Sequence, residues 1–371
     1  MLGTSTAKNK SYLDPKTRSS EVLEFESELR QKIVGQENAV RQLVETYQVY
    51  TAGMTMPDRP IANLLFLGPT GTGKTRIVEA AAEILFRDPR AFIKIDCAEF
   101  QHSHEIAKLT GSPPGYIGHR ETPPVLTQNF IDGFQTAKNQ FTFILFDEIE
   151  KASEAFWKLL LGILDKGKLT LGDNRKVDLS RTVICMTSNL GARQMSELLS
   201  GGIGFVPAAG SRPEQRSSIG QRLHRTALDA ANRYFSPEFM NRLDKVIVFE
   251  NLGPADLDAI LDIELSSVQK RVLALGSQPF VLQYTRRASR FLLREGTDAA
   301  YGARHLKRAI ERYVVFPLSN LIASGQTANA AVIKVDVRSG GRQLVFSKLD
   351  QVPWLEISSL SSAALEPALV L

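Results

Sequence analysis

The octapeptide Gly68-Pro69-Thr70-Gly71-Thr72-Gly73-Lys74-Thr75 constrains the fold of this chain more than any other stretch. It follows the apolar run Asn63-Leu64-Leu65-Phe66-Leu67 and leads into Arg76–Phe86, where Ile77, Ala81, Ile84 and Leu85 recur at helical spacing. Strand, glycine-rich loop and helix, in that order, form the setting that a phosphate-binding loop requires. The glycines permit a tight backbone turn whose consecutive N–H groups converge on an anion. The positive end of the following helix favours the same charge. Lys74 suits the outer phosphates of a nucleotide such as ATP, and the Thr75 hydroxyl suits Mg²⁺. At average residue usage a chance match to this pattern is roughly a one-in-a-hundred event for such a chain. The flanking strand and helix lower those odds further.

A loop of this kind needs a sheet to stand on. Five β-type runs, Leu64–Leu67, Phe92–Asp96, Phe141–Phe146, Thr182–Thr187 and Val246–Phe249, alternate with helical stretches. Most are continuously apolar, as in parallel strands covered on both faces. The expected fold class is α/β, with ligands at the carboxyl ends of the strands. The third run delivers Phe146-Asp147-Glu148. Beside a phosphate loop, Asp147 fits the Mg²⁺ shell and Glu148 fits a group that orients and polarises an attacking water. The fourth ends in Thr187-Ser188-Asn189. Asn189 could hydrogen-bond a terminal phosphate or the water, or simply cap the next helix. Ile33-Val34-Gly35, ahead of the phosphate loop, reads as a backbone seat for an adenine ring.

Composition sets the outer limits. The chain has 371 residues, 43% hydrophobic and 23% charged, with 45 basic against 40 acidic residues and a net charge of +5. That is ordinary for a globular protein, and no nucleic-acid module stands out. Cys97 and Cys185 sit inside apolar runs, which suggests reduced buried thiols in a cytoplasmic protein. No apolar stretch reaches membrane-spanning length. Around Asn251–Pro254 the pattern turns helical, with Ala255–Leu275, Arg286–Arg294 and Ala303–Ala323, and then an apparent hairpin, Ala331–Val337 with Gln343–Ser347. The expected division is a mobile leader over 1–25, a large domain over 26–250, a small helical domain over 251–349 and a tail over 350–371.

From about Leu29 to Lys348 the residues resemble one family, the Clp-type AAA+ unfoldases and disaggregases, in their second ATPase module. The resemblance rests on IVGQENAV, FLGPTGTGKT, GSPPGYIG, ILFDEIEKA, MTSNLGA, SPEFMNRLDKVIVF and YGARHLKRAIER, all in the family's order. It implies an αβα sandwich with a five-stranded parallel sheet, followed by a small helical lid domain ending in a short β hairpin. It implies a single-module ATPase, and a ring, commonly a homo-hexamer, acting on protein substrates. Asn189 resembles the family's first nucleotide sensor and Arg304 the second. Arg242 resembles the arginine finger that reaches a neighbouring subunit's ATP. Gly115-Tyr116-Ile117-Gly118 resembles the pore loop that grips extended polypeptide, and the Gly167–Asp178 hairpin reads either as a second pore element or as a solvated turn.

Two features bear on substrate and partner. Where the family usually carries a Gly-Gly-Gln type stretch after the pore loop, this chain has Glu121-Thr122-Pro123-Pro124. In the long Ser196–Gly220 segment, Ile203-Gly204-Phe205 resembles the tripeptide with which some members dock onto a barrel-shaped Clp-type peptidase. Anchoring of the loop on the protein's own core explains the same residues. The competing function is an ATPase acting on nucleic acid, of helicase or clamp-loader type; the Tyr116 loop speaks against it.

Overall fold

Successive side chains of a strand point to opposite faces, and both faces of the central sheet here are apolar. Leu65, Leu67, Ile144, Phe146, Ile184 and Met186 join one buried cluster. Their sequence neighbours Leu64, Phe66, Phe143, Leu145, Val183 and Cys185 join another on the reverse side. Continuous apolar runs are therefore two alternating stripes, each covered by its own layer of helices.

This computed structural model describes residues 14–112, 123–200, 213–275, 279–297, 302–328, 330–338, 340–341 and 343–349. Helices α1 (Ser20–Lys32) and α2 (Glu37–Thr51) precede β1 (Ala62–Leu67), and α3 (Lys74–Phe86) follows it. Next come β2 (Phe92–Asp96), the short helices α4 (Ile106–Thr110) and α5 (Gln128–Asp132), and β3 (Thr142–Asp147). Helix α6 (Glu154–Lys166) leads to the small antiparallel pair β4 (Lys168–Thr170) and β5 (Lys176–Asp178), and then to β6 (Thr182–Ser188). Helices α7 (Ala192–Ser200), α8 (Pro213–Tyr234) and α9 (Pro237–Met240) complete the large domain with β7 (Lys245–Val248). The sheet runs β2-β3-β6-β1-β7 and all its pairings are parallel. That order sets the ends of β1, β6 and β3 side by side.

Helix α1 begins before the expected edge of the leader. Ser19 caps it by accepting the Val22 N–H, and Val22, Phe25 and Leu29 are buried against α2. The expected leader boundary at 25 therefore falls inside α1. Its apolar residues recur every three to four positions, the spacing of a buried helical stripe.

The small domain consists of α10 (Pro254–Leu273), β8 (Val281–Tyr284), α11 (Arg286–Gly296), α12 (Arg304–Ile310), α13 (Phe316–Ala323), β9 (Val332–Val337) and β10 (Leu344–Leu349). Leu261, Leu265, Val268 and Val272 of α10 form its core with Phe291, Leu306, Ile310 and Val335. The expected hairpin is present as β9 and β10, but β8 pairs with β9 in parallel and makes the sheet three-stranded. The expected single helix Ala303–Ala323 is interrupted by a π turn over Glu311–Val315. Pro317, just inside α13, has no N–H to donate to the preceding turn. The wider turn accommodates that missing bond.

Candidate active site

A cleft of about 340 Å³ opens where β1, β3 and β6 end, within the range of small-molecule sites. Ile33, Val34, Leu252, Ile260 and Ile263 make its apolar wall, the last three from the domain linker and α10. The opposite wall carries Thr70–Thr75, Asp147, Glu148, Thr187 and Asn189, with Arg304 and Lys307 reaching in from α12. The apolar wall, where an adenine ring is expected at Ile33 and Val34, is thus built from both domains. Gly35 does not line the cleft; it packs against the Asp256 carboxylate at the start of α10.

Lys74 heads α3 and is only 8% exposed. Its ammonium donates to the Gly68 carbonyl at 2.6 Å, the Pro69 carbonyl at 2.8 Å and the Asn189 amide oxygen at 2.9 Å. Burial lowers its pKa to about 8, although the carboxylates of Glu150, Asp147 and Glu148 pull the other way. Gly68 and Pro69 therefore act through their carbonyls behind the loop. Gly68 has φ +142°, and a Cβ there would lie 2.5 Å from the Phe249 carbonyl oxygen, so only glycine lets the loop leave β1 past β7.

The carboxylates are held from several sides. Burial would raise the pKa of Asp147, but hydrogen bonds from Lys94 and Thr187 hold it below the usual value. Thr187 donates its hydroxyl to Asp147 and accepts the Glu148 N–H at 3.0 Å, which ties the end of β3 to β6. Glu148 sits in the left-handed region at φ 56°. That conformation is uncommon for a side chain of its size and turns the carboxylate out of the strand line. The Asn189 amide donates to it at 3.3 Å, and Lys151 forms an ion pair with it. Asn189 in turn gives its own N–H to Glu150 at 3.1 Å. Asn189 thus bridges Lys74 and Glu148 directly, a stronger role than the helix cap that the sequence left open.

Arg304 opens α12, and the turn before it rests on the phosphate loop. The Ala303 N–H donates to the Gly71 carbonyl at 3.2 Å, and a Cβ on Gly302 would stand 2.8 Å from that same oxygen. The contact runs from main chain to main chain. Gln36, 3% exposed, is a second clasp: it donates to the carbonyls of Thr72 and Glu250 and accepts the Glu250 N–H. Gln36, Thr187, Glu150, Lys94 and Lys151 were not singled out from sequence. The one available signal was that Gln36, Thr187, Glu150 and Lys151 fall inside motifs already read for other residues.

Arg242 does not reach this cleft. It lies at the approach to β7, where its carbonyl accepts from Asn63 near the start of β1. Five strand steps separate Asn63 from Gly68, roughly 16 Å along the sheet. Its guanidinium pairs with Glu238 at 3.1 Å and Asp165 at 3.7 Å, and its Nε is buried without a hydrogen-bond partner. Gly115–Gly118 and Ile203–Phe205 lie outside the described residues. The Gly167–Asp178 hairpin is formed, as β4 and β5.

Comparison with known proteins agrees with this geometry. The profile described as "AAA domain (Cdc48 subfamily)" matches residues 59–246, and that of the "C-terminal, D2-small domain, of ClpB protein" matches residues 252–335. Chaperone protein ClpB of Aquifex aeolicus is 38% identical over 319 residues, which cover 86% of this chain and 30% of that protein. ClpB of Pseudomonas putida is 37% identical over 328 residues, covering 88% of this chain and 34% of the relative. The chain thus spans about a third of the length of these relatives. Among solved structures, a closed-state reconstruction of Hsp104 with ATPγS and FITC casein superposes with a TM-score of 0.70 at 25% identity, over 90% of this chain and 53% of that one. The two profiles fall on the two domains seen here, and this chain belongs to the AAA+ ATPases, as a module of the Clp type.

Proposed function

We propose that this protein binds ATP with Mg²⁺ and hydrolyses it, that it works in a ring of identical subunits, commonly six, and that the ring draws polypeptide through a central pore. The observation that carries the reading is the convergence of Lys74, Asp147, Glu148, Asn189 and Arg304 from two domains on one cleft with an apolar end. The residues fit the metal as well. Among the described residues no cluster of three or more His, Cys, Asp or Glu side chains could hold an ion alone. Mg²⁺ in such sites takes one or two protein oxygens and completes its shell with phosphate and water. Thr75 and Asp147 would hold it, and when bound it neutralises charge on the phosphates.

The chain's own groups divide the remaining work. Apolar side chains at Ile33, Val34 and Ile260 receive the base. Lys74 exchanges the carbonyls of its own loop for phosphate oxygens, which as anions are the stronger acceptors. Glu148 orients and polarises the water, and Asn189, bonded to both Lys74 and Glu148, keeps the two in register. The position of Arg242 at the opposite end of the strands from the cleft supports a role toward a neighbouring subunit rather than its own site. Threading rests on the resemblance of Gly115–Gly118 to a pore loop, and docking of a barrel-shaped peptidase at Ile203-Gly204-Phe205 rests on a three-residue likeness. Two buried free thiols, Cys97 and Cys185, suit a reducing compartment such as the cytoplasm.

Two experiments test this reading. Unfolded polypeptide should stimulate ATP turnover several-fold while single- and double-stranded DNA should not; the reverse result would place the protein among nucleic-acid motors. Arg242→Ala should lower turnover about a thousandfold or more, as loss of an arginine finger does, with nucleotide affinity kept. Mixing it with Glu148→Gln subunits should restore part of the activity, because some interfaces then carry both intact groups. No recovery at any ratio, with mixed rings verified by mass, would assign Arg242 to its own subunit.

A further inference from the structure

Both oxygens of Asp147 are engaged. Thr187 donates its hydroxyl to Oδ1, and the Lys94 ammonium lies 2.8 Å from Oδ2. Lys94 stands on β2, the edge strand next to β3, where Ile93 and Ile95 turn into the core and Lys94 turns out. It does not line the cleft, whereas Asp147 does. The ammonium therefore reaches the carboxylate from the strand side, behind the surface that faces a nucleotide.

We propose that Lys94 is a resident counter-ion for Asp147 that competes electrostatically with the divalent cation and so sets how much Mg²⁺ the site requires. The inference rests on the nucleotide reading above. A carboxylate on the phosphate side of the sheet, desolvated and without a cation, is unfavourable, and Lys94 relieves that cost before metal arrives. The same charge opposes the metal once it is there. At a separation of about 6 Å in a water-like dielectric, a single positive charge weakens the hold on a divalent cation by about tenfold. Lys94 is half-exposed, so added salt must shrink the effect. An ordinary surface ion pair, by contrast, would leave metal affinity unchanged. Lys94 is in this sense a positioning residue, which touches neither nucleotide nor water.

The test measures binding, with a fluorescent ATP analogue titrated at fixed protein over a range of Mg²⁺ and separately in EDTA. Lys94→Met should lower the Mg²⁺ concentration for half-maximal nucleotide binding by about tenfold at low ionic strength, and the gain should fade in high salt. Lys94→Arg should match wild type. In EDTA, where no metal competes with Lys94, Lys94→Met should show no gain in nucleotide affinity. If Lys94→Met melts early, Lys94→Gln carries the same measurement. An unchanged or increased Mg²⁺ requirement overturns the proposal, and so does an equal gain in affinity in EDTA, which would make the effect independent of the metal. Wild-type protein that binds no nucleotide at any Mg²⁺ concentration overturns the nucleotide reading itself, and this proposal with it.

Discussion

Glu148→Gln is expected to bind ATP as tightly as wild type and to hydrolyse it about a hundred to ten thousand times more slowly, the usual worth of a general base. The substitution keeps shape and volume. A glutamine oxygen can still accept from the Asn189 amide, which donates to Glu148 at 3.3 Å. The Glu148 N–H on Thr187 is a backbone contact and is unaffected. What disappears is the negative charge proposed to polarise a water. Lys74, Thr75 and Asp147, the groups proposed to hold the phosphates and metal, are untouched. Steady-state phosphate release beside equilibrium binding of a fluorescent nucleotide measures both halves of the prediction. Near-normal turnover would remove Glu148 from the mechanism.

Lys74→Met should act in two opposite directions. Nucleotide affinity should fall about a hundredfold, because charge-assisted bonds to phosphate are lost. The nucleotide-free protein should meanwhile lose a source of instability. Burial moves the Lys74 pKa from 10.5 to about 8 in the folded chain. Between those values the unfolded chain holds the proton more firmly than the folded one, so stability rises with pH across that window. The penalty is fully present below about 8 and gone above about 10.5. Its size is up to about 3 kcal/mol, from two and a half pKa steps. Urea melts of wild type and Lys74→Met at neutral and alkaline pH should therefore converge as pH rises. Parallel curves at every pH would mean that Lys74 is not strained by burial.

Local patterns in the sequence were enough to read the large domain. Strands β1, β3 and β6 were recognisable because both of their stripes are apolar, β2 because Ile93 and Ile95 alternate with Lys94 and Asp96, and Gly68–Thr75 carries its own chemistry in consecutive residues. Asp147 and Glu148 were legible for the same reason, as two adjacent carboxylates closing an apolar run. Gln36 was not, because its partner Glu250 lies 214 residues away and nothing local marks the pair. Thr187 and Lys94 escaped notice likewise: one looks like a β-branched strand residue, the other like a solvated edge charge. Their meaning comes from the strand order, which sets β6 and β2 on either side of β3. Strand β8 has only four residues, too few for alternation to separate it from a loop between helices. Arg242 and Arg304 drew their roles from resemblance, since a lone arginine has no periodicity to read.

The meeting of Gly302 and Ala303 with Gly71 has a mechanical consequence. Side chains absorb small displacements by changing rotamer, but here two stretches of main chain abut with no side chain between them. A tilt of α12 by a few degrees must either push the Gly71 peptide or break its hydrogen bond from Ala303. The peptide that moves belongs to the anion cradle itself. Lid angle and cradle shape are therefore one variable and not two, and a pull on the small domain is felt at the phosphates without any relay of intervening residues.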